Sequence, residues 1–385
     1  MKSNFLKYTL TALSISCALF GFADADMDME SNHAEVSSGQ NEKIITPNAS
    51  PVVQHGFDVF VTADFIYWTG RLENIDYAQT GVSRASDTES SLDLLNKQGT
   101  QVTPQHKMSP GFKAGIGLDL KHDGWDTYAQ YTYFHTSATS QNTFDDHAAS
   151  LSEFSDRFIF DTSTTSIKSG SSAWHLHFNN IDWELGRNYY ISPKLLLRPF
   201  TGLKGTWQSQ SFDVLYSNLS DLQTDGTHQK TFNQSSIGNY SISNKENFWG
   251  VGIRTGLNTS WQFCKNWSLF SDTALSALWG QFTVSRIDTG SQDVGDSANI
   301  ITIKEVNITA TNLERRIHTL RPVMEFDIGI RWDYWFLDDD YRIRIQAAWE
   351  EQIWFDQNQF LELHHTNRYG CLNLQGLTVE FRLDF

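Results

Sequence analysis

The stretch HTLRPVMEFDIGIRWDYWF, from His318 to Phe336, constrains the fold of this chain more than any other segment. Every second residue from Leu320 to Phe336 is apolar, while the positions between them include the charged residues Arg321, Glu325, Asp327, Arg331 and Asp333. A period of two is the pattern of a β-strand with one apolar and one polar face. At helical spacing the two sets would mix around the cylinder, so the stretch predicts a strand.

This predicted strand is longer than those of soluble proteins, which average about 5–6 residues. A strand that crosses a bilayer at a tilt needs about 9–11 residues and carries aromatic side chains at the two interfaces. Trp332, Tyr334 and Phe336 lie together at one end and resemble such an aromatic girdle. The pattern therefore predicts an all-β protein, a transmembrane β-barrel.

The same alternation recurs in residues 57–68, 249–263 and 341–350. Their apolar faces carry aromatic residues, and the opposite faces carry glycine, polar or charged residues. A soluble sandwich would bury its large apolar face, whereas a barrel in lipid turns that face outward and keeps a polar interior. Phe60, Ile66 and Trp68 depart from this rule, because their positions in the alternation point inward.

Ten strands are predicted, and the links between them alternate between short and long. The predicted strands are 57–70, 110–122, 125–138, 173–190, 195–209, 247–263, 267–287, 318–336, 341–355 and 371–385. An up-and-down antiparallel barrel with short periplasmic turns and long external loops has this arrangement, with both chain ends in the periplasm. Residues 157–167 and 299–311 either extend neighbouring strands or raise the count to 12 or more. A change of apolar phase in the fourth strand predicts a β-bulge near Asn179 and Asn180.

The first 25 residues have the pattern of a cleaved secretory signal. Lys2 and Lys7 precede an apolar run from Tyr8 to Phe20, and residues 23–25 form an Ala-Asp-Ala cleavage site. Cys17 leaves a lipoprotein signal as a minor alternative. Residues 26–56 are polar and without pattern, which predicts a flexible periplasmic lead-in, or alternatively a segment that folds into the lumen, before a barrel over residues 57–385. The net charge of −16 argues against a nucleic-acid partner, since phosphate binding needs a basic surface.

The chain ends on a strand whose last residues alternate toward a terminal phenylalanine. This pattern resembles the C-terminal signal that the barrel-assembly machinery reads in outer-membrane proteins. The residues that carry it are Leu377, Val379, Phe381, Leu383 and Phe385. With the signal peptide, it predicts Sec-type export and insertion into the lipid of a bacterial outer membrane.

Several stretches resemble the major-outer-membrane-protein-like family of Legionella and environmental chlamydiae. They are VTADFIYWTGRLEN, SPGFKAGIGLDLKHDGWDTYAQYTYF, LRPFTGLKGTWQSQSF, NFWGVGIRTGLNTSWQF and RPVMEFDIGIRWDYWF. The resemblance implies an abundant outer-membrane barrel with porin-like, surface-antigen or adhesin roles. It supplies no catalytic motif.

The two predicted strands 318–336 and 341–355, which a short turn joins, carry many charged residues on their inward faces. A two-residue turn at Asp338 and Asp339 would pair Asp333 with Arg344, and Arg331 with Gln346. The candidate luminal residues are Arg321, Glu325, Asp327, Arg331, Asp333, Arg342, Arg344 and Glu350. They either line a pore and set its ion preference or form ion pairs that fill a narrow barrel, and both interpretations stay open.

Three further patterns carry weaker signals. His175 and His177 share a strand face as a possible metal pair, and residues 364–365 are both histidine. The triplet at 145–147, Asp-Asp-His, resembles part of the catalytic equipment of ten-stranded outer-membrane proteases. Ordinary polar roles are favoured for all of them, so no metal site, cofactor or enzyme is predicted.

The mature chain would retain two cysteines, Cys264 and Cys371, which the predicted topology places at opposite ends of the barrel. The strand length between those ends is far greater than the ~7 Å that a disulfide allows between Cα atoms, so no bond within the chain is predicted. A bond between chains, and an oligomer, stay open.

Two functions follow from these patterns. The first is a barrel that passes small solutes or ions and exposes its loops to a host or the medium. The second is a filled barrel that acts through its external loops as an adhesin or a structural scaffold, with a host-surface ligand as a partner. An open or a filled lumen distinguishes them.

Overall fold

The computed structural model describes residues 58–79, 82–84, 95–97, 100–120, 123–144, 149–150, 166–224, 230–293, 305–337, 341–361 and 369–385. Residues 1–57, with the predicted signal and the whole predicted lead-in, lie outside these ranges. Among the described residues no helix has the length and apolar character needed to cross a membrane.

Ten long strands account for most of the described residues. They are β1 (Val59–Leu72), β2 (Met108–Asp119), β3 (Trp125–Thr143), β4 (Ser166–Arg187), β5 (Leu195–Thr224), β6 (Lys230–Gln262), β7 (Trp267–Asp293), β8 (Glu305–Phe336), β9 (Tyr341–Trp354) and β10 (Leu372–Asp384). Short strands are Ala78–Gln79, Val82–Arg84, Leu95–Lys97, Gln101–Val102, Gln105–His106, Ala149–Ser150 and Tyr189–Ser192. The ten-stranded, all-β prediction is confirmed.

Each long strand pairs antiparallel with the next along the chain, and β10 pairs with β1 to close the barrel. The register of closure joins Val61 to Leu383 and Phe65 to Val379. Because a closed barrel has no free edge, every barrel strand pairs on both sides. The short turns gather at one end, the turn end, and the longer connections gather at the other, the loop end.

At the turn end the strand boundaries lie close to the predicted residues, but several strands extend further toward the loop end. β5, β6, β7 and β8 each have 27 to 33 residues. Residues 305–311, whose role was left open, are part of β8 and pair with β7. Longer strands rather than additional hairpins explain the alternating pattern at this position.

The predicted bulge in β4 is wrong. β4 pairs without interruption through Asn179 and Asn180, both with β3 and with β5. The apolar residues of β4 move from its inward face to its outward face along a regular strand, because the interior of the barrel is apolar near the loop end and polar near the turn end. Near the loop end the inward positions of β4 are apolar, and near the turn end they are Asp182 and Glu184.

The outside of the turn-end half carries an apolar band with an aromatic girdle at each edge. One edge has Trp207, Trp249 and Trp279, and the other has Trp261 and Tyr334, all of them 45 to 54% exposed. The exposed residues between these edges are mainly Leu, Ile, Val and Phe. This is the lipid-facing surface that the period-two pattern predicts. β5 to β8 continue beyond the upper girdle, so the barrel is taller than its apolar band.

Candidate functional site: the lumen of the barrel

The lumen has two layers of opposite chemistry. In the turn-end half a cavity of about 250 Å³ is lined by twelve carboxylate and seven cationic side chains. Asp58, Asp119 and Asn188 line it at the turn end, so the cavity extends to that rim. Above it, toward the loop end, a continuous apolar cluster fills the interior. We call these the charged cavity and the apolar layer.

An ion-pair network connects several strands inside the charged cavity. Arg254 on β6 donates to Glu325 on β8 at 2.6 Å and also to Glu184 on β4. The ammonium group of Lys204 lies 2.6 Å from Glu325 and 2.6 Å from Asp182. All five side chains are largely buried. Buried charges are tolerated when they are paired, so the network is consistent with a well-defined lumen wall.

A second group lies at the boundary between the two layers. Lys113 Nζ donates to both carboxylate oxygens of Glu350 at 2.7 Å, and Thr378 donates to Glu350 at 2.8 Å. Trp68 in turn donates to the Thr378 hydroxyl at 3.0 Å. A buried tryptophan from the apolar layer is therefore hydrogen-bonded to the upper edge of the ion-pair network.

The predicted register between β8 and β9 is confirmed. Asp333 pairs with Arg344 and accepts a 2.8 Å hydrogen bond from it, and Arg331 donates to Gln346 at 2.8 Å. The sequence reasoning missed Asp384, which accepts hydrogen bonds from both Arg342 and Arg382. The alternation in the last strand places Arg382 and Asp384 on the inward face, but it does not reveal that Arg342 on β9 is a partner of Asp384.

The eight luminal candidates do not form one ring. Glu325, Asp327, Arg331, Arg342, Arg344 and Glu350 line the charged cavity. Asp333 is bound to Arg344 near the turn end, and Arg321 lies higher, where it pairs with Asp356 and its guanidinium group lies 5.0 Å from the Phe282 ring centroid. Five cationic members of the site were not among the candidates, namely Lys113, Arg198, Lys204, Arg254 and Arg382. The strands of the first four showed alternation, but single charges among glycine and polar residues gave a weak signal.

The apolar layer spans the lumen from wall to wall. Phe178 on β4 and Trp354 on β9 contact each other with ring centroids 5.3 Å apart at 82°. β4 and β9 are five strands apart in either direction around the barrel, so they form opposite walls. Neither ring is accessible to solvent. Further bulky members are Trp68, Phe134, Trp174, Phe248 and Phe282.

A segment between β9 and β10 folds into the lumen and completes this layer. Residues 357–360 are buried, although three of them are polar. The backbone N–H of Gln359 donates to Glu246 at 2.8 Å, and the Gln357 side chain donates to Gln208 at 3.1 Å. The Phe360 ring stacks on Phe212, with ring centroids 6.0 Å apart. We call residues 356–361 the inward segment.

The carbonyl of Leu361, at the end of the inward segment, accepts a 2.8 Å hydrogen bond from Arg286. Arg286 also pairs with Asp288 at 2.8 Å, and both side chains are almost fully buried. Tyr240 donates to the same carboxylate at 3.0 Å. The inward segment is therefore held by a buried polar network, which sequence patterns in a long connection do not reveal.

The two candidate histidines lie on the outside of β4. His177 contacts His135 on β3, with ring centroids 4.2 Å apart, and His175 lies two residues further along the same face. No group of three or more His, Cys, Asp or Glu residues with metal-binding geometry occurs in the described part of the chain. The triplet at 145–147 and the histidines at 364–365 lie outside the described residues.

Cys264 and Cys371 are free thiols in the structure, in the turn after β6 and just before β10 respectively. Cys264 is exposed, whereas Cys371 is partly buried. Burial raises the pKa of the Cys371 thiol. Glu73 accepts a hydrogen bond from the Cys371 backbone N–H at 2.9 Å.

Comparison with protein families gives a match over nearly the whole described structure. A family model described as "Legionella pneumophila major outer membrane protein precursor" matches residues 49–385. A search of curated protein sequences gives no match.

Three solved structures with similar chain paths are distant in sequence. The outer membrane protease OmpT from Escherichia coli is 13% identical, with a TM-score of 0.36, and covers 85% of this chain and 96% of its own. The Ralstonia pickettii toluene transporter TbuX is 10% identical, with a TM-score of 0.27, and covers 86% and 90% respectively. A Pseudomonas aeruginosa FadL homologue is 8% identical, with a TM-score of 0.24, and covers 85% and 89%.

Proposed function

Because the chain belongs to the Legionella major outer membrane protein family and is a barrel of the bacterial outer membrane, we propose that it acts as a filled, surface-projecting scaffold or adhesin. In this function the lumen gives rigidity and the loop end, which faces the cell exterior, supplies the contacts. The turn end faces the periplasm. The proposal assigns no enzymatic activity to the barrel.

The observation that carries the proposal is the contact between Phe178 and Trp354 across the lumen. Ten strands enclose an interior only slightly wider than that of an eight-stranded barrel, which side chains just fill. Two opposed aromatic rings in contact, packed among the other bulky members of the apolar layer, support a lumen that is closed at this level. A conducting barrel instead needs a continuous polar channel.

The height of the barrel is a second support. β5 to β8 continue well beyond the girdle that contains Trp207 and Trp249. The part above the girdle contains its own buried network, including Arg286 and Asp288. A wall that projects from the membrane with a packed interior is suited to presenting a surface rigidly to a partner outside the cell.

Passage of small solutes is the alternative function, and the charged cavity favours it. The cavity extends to the periplasmic rim and contains more carboxylates than cationic groups. Conduction would require the inward segment to leave and the apolar layer to open. In that case the described conformation is the closed state of a gated barrel.

A proteoliposome swelling assay separates the two functions. Folded protein in liposomes is exposed to a small sugar, a small amino acid and a small organic cation, with empty liposomes and an open porin as controls. The proposed function predicts swelling no faster than that of empty liposomes for all three solutes. Swelling near the rate of the open porin contradicts it and supports passage.

The adhesive role needs its own experiment. Bacteria that display the barrel are compared with bacteria that display a variant in which residues 294–304 are replaced by a short Gly-Ser link. The proposed function predicts reduced attachment to host cells for the variant at equal surface level. Equal attachment by both strains contradicts a role for this loop.

A further inference from the structure

Six of the twelve carboxylates that line the charged cavity have a cationic partner within ion-pair distance, whereas four others have none among the described residues. Asp64 on β1, Asp272 on β7, Asp327 on β8 and Glu380 on β10 line the cavity. None of the four lies within ion-pair distance of a cationic side chain among the described residues. We call this group the acidic arc.

The barrel register brings the arc together from separate parts of the chain. Asp272 pairs with Asp327, and the Asp272 backbone N–H donates to the Asp327 carboxylate at 2.9 Å. Asp64 pairs with Glu380 across the strands that close the barrel. Only β9 separates the two pairs, since β8 and β10 are its neighbours, and adjacent strands are about 4.7–4.9 Å apart.

Of the two cations nearest the arc, Lys113 is paired with Glu350, whereas Arg331 has no ion pair among the described residues. Lys113 donates to both oxygens of Glu350, and Arg331 donates to Gln346 while its guanidinium group lies 4.6 Å from the Phe270 ring centroid. Arg331 alone does not balance four carboxylates, so the arc has a formal excess of negative charge. Uncompensated buried charge is costly, which favours uptake of a positive ligand.

The Asp64 carboxylate gives a separate indication of a ligand. It is only 5% exposed and lines the cavity. Gln130 donates to its Oδ2 atom at 2.9 Å, but the buried Oδ1 atom has no hydrogen-bond partner among the described residues. Buried acceptors usually have a partner, so an oxygen without one at the wall of a cavity marks a place for an external donor.

We propose that the acidic arc binds a small organic dication that enters from the periplasm, with one ammonium group toward Asp64 and Glu380 and the other toward Asp272 and Asp327. Ammonium groups donate three hydrogen bonds each and match carboxylate acceptors. The cavity of about 250 Å³ has room for a short diamine. The described residues contain no group of side chains with metal-binding geometry. The four carboxylates of the arc therefore suit an ammonium group better than a metal ion. The site does not depend on whether the lumen conducts.

Isothermal titration calorimetry of the full-length folded barrel in detergent micelles tests the site, with 1,4-diaminobutane as the probe. We expect saturable binding of one diamine per barrel at constant ionic strength. 1,4-Butanediol, the uncharged analogue, should not bind. Magnesium chloride at equal charge concentration should not compete, because the arc is not a metal site.

Asp64→Asn with Asp327→Asn removes one carboxylate from each pair and keeps side-chain size. We expect affinity to fall by about tenfold for each carboxylate lost, the equivalent of about 1.4 kcal/mol. Glu314→Gln, an exposed acidic position on β8, is the matched control and should bind like the wild type.

Absence of saturable binding to the wild type, equal affinity of the double variant, or equal competition by magnesium would overturn the proposal. If the double variant does not fold, the two single variants and the thermal shift of the wild type with diamine against butanediol decide the question. The proposal requires that only the diamine raises the melting temperature.

Discussion

Phe178 and Trp354 lie on opposite walls of the barrel, and their rings are in contact with centroids 5.3 Å apart. This contact bears on the two interpretations of the luminal charges, which either line a pore or fill a narrow barrel. The charged residues of the lower lumen suggest a passage, and the rings above them fill it. The consequences of a filled lumen can be tested residue by residue.

Trp354→Ala should strongly destabilise the barrel. The ring is fully buried, and its removal leaves a cavity between opposed walls that cannot collapse. Deletion of a buried tryptophan costs about 3–5 kcal/mol. Urea titration in lipid vesicles, followed by the heat-dependent shift in gel mobility, measures the loss.

Trp349→Ala is the matched control for that substitution. Trp349 is on the same strand, but it faces outward and is 51% exposed. Lipid can occupy the space that its ring leaves, so a clearly smaller loss is expected. Equal losses for the two variants would argue against a packed lumen.

Asp288→Asn should destabilise the part of the barrel that continues toward the loop end beyond the girdle of Trp207, Trp249 and Trp279. Arg286 would remain buried without its charged partner, and breaking a buried pair costs about 3–5 kcal/mol. Glu314→Gln is the matched control. It breaks the ion pair between Glu314 and Arg316, which are also two residues apart on one strand but are mostly exposed. An exposed pair contributes about 1 kcal/mol or less. Chemical denaturation of the two variants side by side should rank them in this order.

Glu246→Ala should release the inward segment. Glu246 is buried and accepts hydrogen bonds from the backbone N–H of Gln359 and from the Gln210 side chain. A thiol introduced by Gln359→Cys, with Cys264 and Cys371 replaced by serine, reports the release. Maleimide should modify it slowly in the parent barrel and much faster after Glu246→Ala. Fast modification in both backgrounds would mean that the segment is not held in the lumen.

The two native thiols should react at different rates in detergent. Cys264 is exposed in a turn, and Cys371 is partly buried with its pKa raised by that burial. Because the thiolate is the reactive form, less of Cys371 is reactive near pH 7.5. Its maleimide labelling should lag behind that of Cys264 and accelerate more steeply as the pH rises to 9. Mass spectrometry of labelled peptides measures both rates, and identical pH profiles would contradict the difference in burial.

The strands and their register were predictable because a bilayer imposes a strict rule on sequence. A lipid-facing side chain at every second position makes the alternation long and regular, as in β8. The short turn after Phe336 then determined that Asp333 meets Arg344. Local turn length and alternation suffice to specify both features.

The filled lumen was not predictable in the same way. Trp174, Leu176 and Phe178 are apolar and face inward, so the expectation that apolar means lipid-facing led to a bulge that does not occur. Contacts between β4 and β9 join positions that are far apart in the chain and depend on closure. The inward segment is polar and patternless in sequence, and its burial depends on partners such as Glu246 and Arg286.

Single-channel recording in a planar bilayer is the most direct test of the filled lumen. Folded wild-type barrels, shown to be inserted by protease protection, are held at moderate voltage in concentrated potassium chloride. The account predicts a current that stays at the baseline of the empty membrane. Regular conductance steps of uniform size from the wild-type protein would contradict it.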